Sequence, residues 1–184
     1  MGSSSQLAET TSQRHLQDAL PRRWLHVQAV VAKAEGLARL VGDDAELLTA
    51  AAWLHDIGYA PDVADTGFHA LDGARWVRQQ GFPDRIAALV AHHSCAVHEA
   101  DERGLGHALA SEFPREETAV SDALWYADMT TGPDGQDLTV DERLAEIRQR
   151  YGPDDVVTRF WQRAEPMLRE AVRRTERRLS AQPM

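Results

Sequence analysis

Apolar residues along this chain recur at steps of three and four, and no stretch shows sustained strand-like alternation, so helices are predicted throughout. The clearest helix is expected over about 22–41. Val27, Val30, Val31, Ala34, Leu37, Ala38 and Val41 share its inner face, and Gly42 ends it. A second is expected over about 44–57, with Leu47, Leu48, Ala51, Ala52 and Leu54 inward and Asp43 and Glu46 reading as a capping box. Gly58 suits a left-handed cap behind it. Further helices are expected over about 7–20 (stopped by Pro21), 68–80 and 84–93, from Pro114 through Asp128, over 140–151, and from Pro153 to about 179. Residues 1–6 are small, polar and terminal, and are expected to be disordered. Residues 98–107 read as a polar loop with helical turns. The fold class is therefore all-α, one domain over 7–184 with a disordered 1–6.

Histidines and aspartates fall on this pattern in an uneven way. His26 shares a stripe with Val30 and Leu37. His55 lies four after Ala51, and Asp56 follows it directly. Adjacent side chains on a helix diverge by about 100°, so this pair can reach one ion only where the helix ends. His69 opens a helix, His92-His93 closes another, and Asp128 lies four after Leu124 at the end of a buried stripe. A buried carboxylate is costly unless paired or metal-bound. His15, His98 and His107 have no apolar stripe and are expected at the surface.

Nitrogen and oxygen donors without thiolate suit Fe, Mn, Co, Ni or Zn. The donors are too many for one ion that keeps an open position, and suit two divalent ions bridged by a carboxylate. Cys95 adjoins the His pair and is read as an inert thiol.

The order His26, His55-Asp56, Asp128 resembles the H…HD…D pattern of the HD-domain superfamily of metal-dependent phosphohydrolases, over about residues 20–135. Arg23, three before His26, fits the Arg-x-x-His of many members. His69 with Gly73-Ala74 is similar to a segment of the two-metal subset, and His92-His93 to that subset's next ligand position. The resemblance implies an HD-domain helical bundle. It implies a first ion on His26, His55, Asp56 and Asp128, and a second on Asp56, His69 and one of His92 and His93; aligning Ala88-Leu89 with the family's small-aliphatic pair favours His92 and leaves His93 facing substrate or a further metal. Tyr59 stands where many two-metal members carry lysine, and a Gly-Tyr-Pro segment marking cyclic-dinucleotide phosphodiesterases is absent. The arrangement resembles small bacterial HD hydrolases of soluble nucleotides, such as dinucleoside tetraphosphate hydrolases.

The expected activity is hydrolysis of a phosphate ester or anhydride of a small soluble substrate, a nucleotide by this reading, through a metal-activated hydroxide. Asp56 or Asp128 would take the proton. Arg23 and Lys33, seven after His26 on the same face, would neutralise phosphate charge, and Tyr59, His93 and Thr131 would face substrate, with Thr130 as a further contact. Two alternatives use the same residues: a mixed-valence diiron oxygenase cleaving a C–C or C–P bond, and a non-catalytic nucleotide-binding module.

Composition narrows the partners. A net charge of −9 argues against a nucleic-acid polymer. No apolar run approaches the roughly 18 residues of a membrane span, and residues 1–6 lack the features of a secretion signal, so a cytoplasmic location is expected. A single cysteine among 184 residues fits a reducing compartment. Lys33 is the one lysine among 20 basic residues, an arginine bias read as genome composition. The C-terminal helix carries seven of those arginines between Arg159 and Leu179 and is a candidate homodimer surface.

Overall fold

A computed structural model describes residues 3–151 and 156–181. The described helices are α1 (Ser4–Leu16), α2 (Pro21–Gly36), α3 (Ala38–Val41), α4 (Ala45–Leu54), α5 (His69–Gln79), α6 (Asp84–Ala91), α7 (Ala96–Glu102), α8 (Gly106–Glu112), α9 (Ala119–Met129), α10 (Val140–Tyr151) and α11 (Val156–Ser180). Among the described residues the only strand-like pairing is an isolated bridge between Thr131 and Asp137. The all-α reading therefore holds. No helix among the described residues is long and apolar enough to cross a membrane.

Helix α4 is the central rod. Ala50, Ala51, Ala52 and Leu54 are fully buried, and small side chains let α1, α2, α6 and α9 approach it closely. Each fully buried leucine, such as Leu48 or Leu124, contributes roughly 1.5–3 kcal/mol. Helix α11 lays Phe160, Ala164, Leu168, Ala171 and Val172 along α9 and α7. It is held to α9 by Arg174 and Arg178, which donate to the buried Asp122 at 2.6–2.9 Å. Two arginines expected on a solvated or oligomer-facing surface thus serve an internal contact.

Several expectations shift. Residues 3–6 are ordered: Ser3 and Gln6 form a capping box, and the Ser4 amide donates to Glu46 at 2.7 Å. Ala8, Ser12 and Leu16, four apart, then bury α1 against α4. Met1 and Gly2 lie outside the described residues, as does Pro153. Asp43 and Glu46 make no capping box, because Glu46 is taken by Ser4 and the cap residue of α4 is Asp44, with no side-chain bond. The long helix over 22–41 breaks at Leu37 (φ −95°, ψ 1°) into α2 and α3. Pro114 starts no helix. The residue before a proline is pushed to extended backbone, and Phe113 sits at φ −131°, ψ 117°. Helix α9 begins instead behind the Thr118–Ser121 capping box. His15 is largely covered: its Nδ1 lies 2.8 Å from an Asp62 oxygen, and its ring stands edge-on to Trp76. His98 is not a free surface group either, since both ring nitrogens are buried. His107 is exposed.

Candidate metal centre

Helix ends build the site. Arg23 and His26 lie three apart on α2, hence on one face. His55 is the last helical residue behind α4, and Asp56 (φ −104°, ψ 9°) has left the helix, so the two adjacent side chains converge. His69 opens α5, His93 follows the end of α6, and Asp128 lies near the end of α9.

Gly58 and Gly73 bring two of these segments together. A Cβ on Gly58 would lie 2.0 Å from the His69 carbonyl oxygen and 2.7 Å from the Gly73 amide nitrogen. Gly58 is therefore required by close approach, and its φ is not positive as the expected left-handed cap would need. Asp72, also buried, accepts from the amides of Asp65, Thr66 and Gly67 at 3.0–3.2 Å and fixes the loop ahead of His69.

Three imidazoles are oriented in the same manner. The Nδ1–H groups of His26, His55 and His93 donate to the carbonyls of Gly132, Ala52 and Val90 at 2.9, 2.8 and 2.6 Å. Their Nε2 atoms then point at the carboxylates, where each can offer a lone pair to a cation once it carries no proton, the arrangement that outer hydrogen bonds give to metal-binding histidines. Asp56 Oδ2 lies 3.4 Å from His55 Nε2 and 3.8 Å from His26 Nε2. Asp56 Oδ1 lies 3.7 Å from His69 Nε2 and 3.8 Å from His93 Nε2. Asp128 Oδ1 lies 3.1 Å from His26 Nε2. Its other oxygen accepts from the Ser94 hydroxyl. Donor atoms of His26, His55 and Asp56 fall within 4.8 Å of one another, and so do those of Asp56, His69 and His93.

These residues fit a cation. His55 is fully buried, yet its Nε2 has no hydrogen-bond partner among the described residues, and such a buried orphan is rare. The 3.4 Å approach of Asp56 is coulombic attraction without a hydrogen bond's geometry. In the metal-free protein, burial pushes the His55 imidazole down, but Asp56 and Asp128 outweigh it and raise it to about 9. Burial, with His93 beside it, holds His69 well below its ordinary value, and burial with His55 lowers His93. Burial would raise both carboxyls. Arg23 and His55 instead hold Asp56 well below the usual range, and His26 and His55 do the same for Asp128.

Arg23 Nη1 donates to Asp56 Oδ2 at 2.6 Å, and its guanidinium lies 4.0 Å from the Tyr59 ring centre. Tyr59 stacks on His69 at 4.1 Å, 15° from parallel. A cavity of about 230 Å³ opens onto the cluster, with Arg23, Tyr59, His69, Ser94, Arg143 and Trp161 among its walls.

Four assignments need correction. His92 is not in the cluster: Nε2–H donates to the Phe113 carbonyl at 2.9 Å. Helix α6 ends at Ala91, so one residue decides which imidazole faces Asp56, and it is His93. Lys33 is turned away, donating to the Thr130 carbonyl and hydroxyl at 2.5 and 2.8 Å and to Asp137 at 2.5 Å. Thr131 is buried, and its hydroxyl donates to the Ala127 carbonyl at 2.7 Å. Thr130 likewise donates to Tyr126. Cys95 is buried, and burial raises its thiol well above the ordinary value, as an inert thiol requires.

Ser94 is a site residue that the sequence pattern does not single out. Ser94 (φ 46°, ψ 43°) and Cys95 (φ 61°, ψ 31°) are consecutive left-handed residues, at roughly 1–2 kcal/mol each for a non-glycine. This turn swings the chain behind His93 and carries the Ser94 hydroxyl to Asp128. The one legible hint is its place beside the His pair.

A family model described as HD domain matches residues 23–131, which contain every residue of the cluster. The chain belongs to the HD-domain family. It is also 36% identical over 77 residues to a tRNA (cytidine(56)-2'-O)-methyltransferase of Thermoplasma volcanium. That stretch is 42% of this chain and 22% of the relative, so the chain spans about a fifth of that protein's length. No solved structure matches the chain. Helices α10 and α11 lie outside the HD-domain match, yet Arg143 and Trp161 from them wall the cavity.

Proposed function

We propose that this HD domain is a metal-dependent phosphohydrolase that cleaves a phosphate ester or anhydride of a small soluble molecule. The observation that carries the reading is the division of Asp56: one oxygen faces His26 and His55, the other His69 and His93. One carboxylate between two imidazole pairs suits two divalent ions. His26, His55, Asp56 and Asp128 would hold the first, and Asp56, His69 and His93 the second. A pair of such ions supplies a hydroxide nucleophile near neutral pH and polarises a phosphoryl oxygen.

The chain's own groups bind and orient. Arg23 is anchored to Asp56 by one nitrogen, which leaves the rest of its fork for a phosphate oxygen. Tyr59 holds Arg23 and His69 in register. Ser94 fixes the second oxygen of Asp128. Both aspartates ionise far below neutrality in the metal-free protein, which favours ligand roles over proton acceptance. The cavity's arginines favour an anion, and Tyr59, Phe160 and Trp161 offer an aromatic wall that keeps a mononucleotide in range.

The test is a panel of phosphate monoesters and mononucleotides with Mn, Fe, Co, Ni or Zn, run with and without oxygen. Phosphate release without oxygen is expected. Oxygen consumption with no phosphate released would overturn the hydrolase reading.

A further inference from the structure

Glu99, in the wall of the metal-centre cavity, has no part in the proposed metal chemistry. It lies on α7, four residues behind Cys95, so the left-handed turn that carries Ser94 to Asp128 also delivers Glu99 to the cavity. The residue is 7% exposed, and a carboxylate so buried is costly unless paired. Arg103, one turn on and also in the wall, supplies the pair: its Nε and Nη2 stand 2.8 and 2.7 Å from one oxygen, Oε1. On the outer face of a helix such a pair contributes little. Here the acid is buried and both members face the cavity. A carboxylate has two oxygens and about four lone-pair sites, so Glu99 can keep Arg103 and accept further bonds.

The neighbouring wall has the same balance. Arg143 and Arg150 both donate to Glu146. Phe160 and Trp161 from α11 stand beside them, with ring centres 4.7 Å apart. Arg23, by contrast, sits at the metal centre on Asp56. Away from the metal ligands the cavity is therefore lined by aromatic surface and by arginines already paired. That wall suits an uncharged polar group. A phosphate there would meet Glu99 as a like charge. A carboxylate beside aromatic rings is matched by a flat molecule that carries hydroxyl or amino hydrogens.

We propose that Glu99 is a specificity residue, which accepts a hydrogen bond from a hydroxyl or amino group on the organic part of the substrate. Arg103 holds its carboxylate in place. The substrate class is then a phosphate ester whose far end is uncharged, flat and donor-bearing, as a nucleoside is. This deepens the phosphohydrolase reading and rests on it for the phosphate end alone.

The full chain, loaded with manganese, is titrated by calorimetry with adenosine, which has the ring and the donors but no phosphate to release. Wild type is expected to bind it. Glu99→Gln keeps the shape and loses the charge, and is expected to bind roughly tenfold to a hundredfold more weakly, the range of one hydrogen bond to a charged group. Glu112→Gln makes the same exchange on an acid that pairs with Arg75 outside the cavity, and is expected to bind as wild type does. Two analogues separate the donors. Weaker binding of 2',3'-dideoxyadenosine assigns the ribose hydroxyls to Glu99, and weaker binding of purine riboside assigns the amino group. No adenosine binding by wild type would overturn the assignment. So would undiminished binding by Glu99→Gln, or wild type that binds both analogues as tightly as adenosine. The analogue comparison needs no variant, so it decides if Glu99→Gln does not fold. None of these titrations reads hydrolysis. Glu99-dependent adenosine binding with no phosphate released from any ester would overturn the hydrolase reading and leave this one standing.

Discussion

The Nε2 atoms of His69 and His93 stand 3.2 Å apart and both face Asp56 Oδ1. Two imidazoles that burial holds below their ordinary value leave at most one proton between these nitrogens, and a shared cation satisfies both. His93→Ala should therefore lose one ion per chain and phosphatase activity. His92→Ala should keep its metal content while losing about 2 kcal/mol of stability, since it removes a buried bond to the Phe113 carbonyl. Metal analysis and urea denaturation of the two variants check this. The opposite pattern would restore His92 as the ligand.

The contact between Gly58 and His69 gives a stability prediction with a built-in control. Gly58→Ala forces a methyl to 2.0 Å from a backbone oxygen and should cost about 3 kcal/mol, with weaker metal binding because His69 must move. Gly36→Ala, at the end of α2 with nothing within 4 Å of the new carbon, should be neutral or stabilising by up to about 1 kcal/mol. Chemical denaturation of both variants measures the difference.

Ser94 combines backbone strain with a bond to Asp128. Ser94→Ala keeps the left-handed backbone and loses the hydroxyl, so it should be destabilised by about 2 kcal/mol. Ser94→Gly loses the same bond but relaxes the backbone, and should recover about 1 kcal/mol of that. Both should lower activity. Equal stability of the two variants would show that the turn stores no strain.

Metal affinity should depend on pH through His55. A cation must displace the proton that Asp56 and Asp128 hold on this imidazole up to about pH 9. Below that value the proton competes, so affinity should rise about tenfold per pH unit from about pH 7 toward 9, then level off. His69 and His93, whose values burial lowers, add no proton to displace at neutral pH. Competition titrations with manganese across this range measure the slope. A flat profile would show that His55 carries no proton to displace over this range, against the raised imidazole.

Much of this centre is legible in the sequence. His26, His55, Asp56, His69 and Asp128 can be read because each lies on an apolar stripe or at a helix end, where side chains converge. His92 and His93 cannot be separated that way, since the answer turns on the single residue at which α6 ends. Lys33 shares the face of His26, but seven residues at 1.5 Å each carry it about 10 Å along α2, onto the Thr130–Asp137 loop. Thr131 lies beside Asp128 in sequence, yet its hydroxyl closes on the preceding turn. Ser94 and Arg143 leave no periodic signal: one depends on an uncommon backbone conformation, the other on how α10 packs. Asp44 and Glu46 show why the capping box misleads, since Arg85 and Ser4 compete for those carboxylates.

The central claim is that six side chains from five segments hold a pair of metal ions. Mass-spectrometric metal content of the full chain, purified without added metal or chelator, tests it most directly. About two transition-metal ions per chain are expected, falling to near zero in Asp56→Ala. Less than one ion per wild-type chain, or undiminished metal in Asp56→Ala, would contradict it.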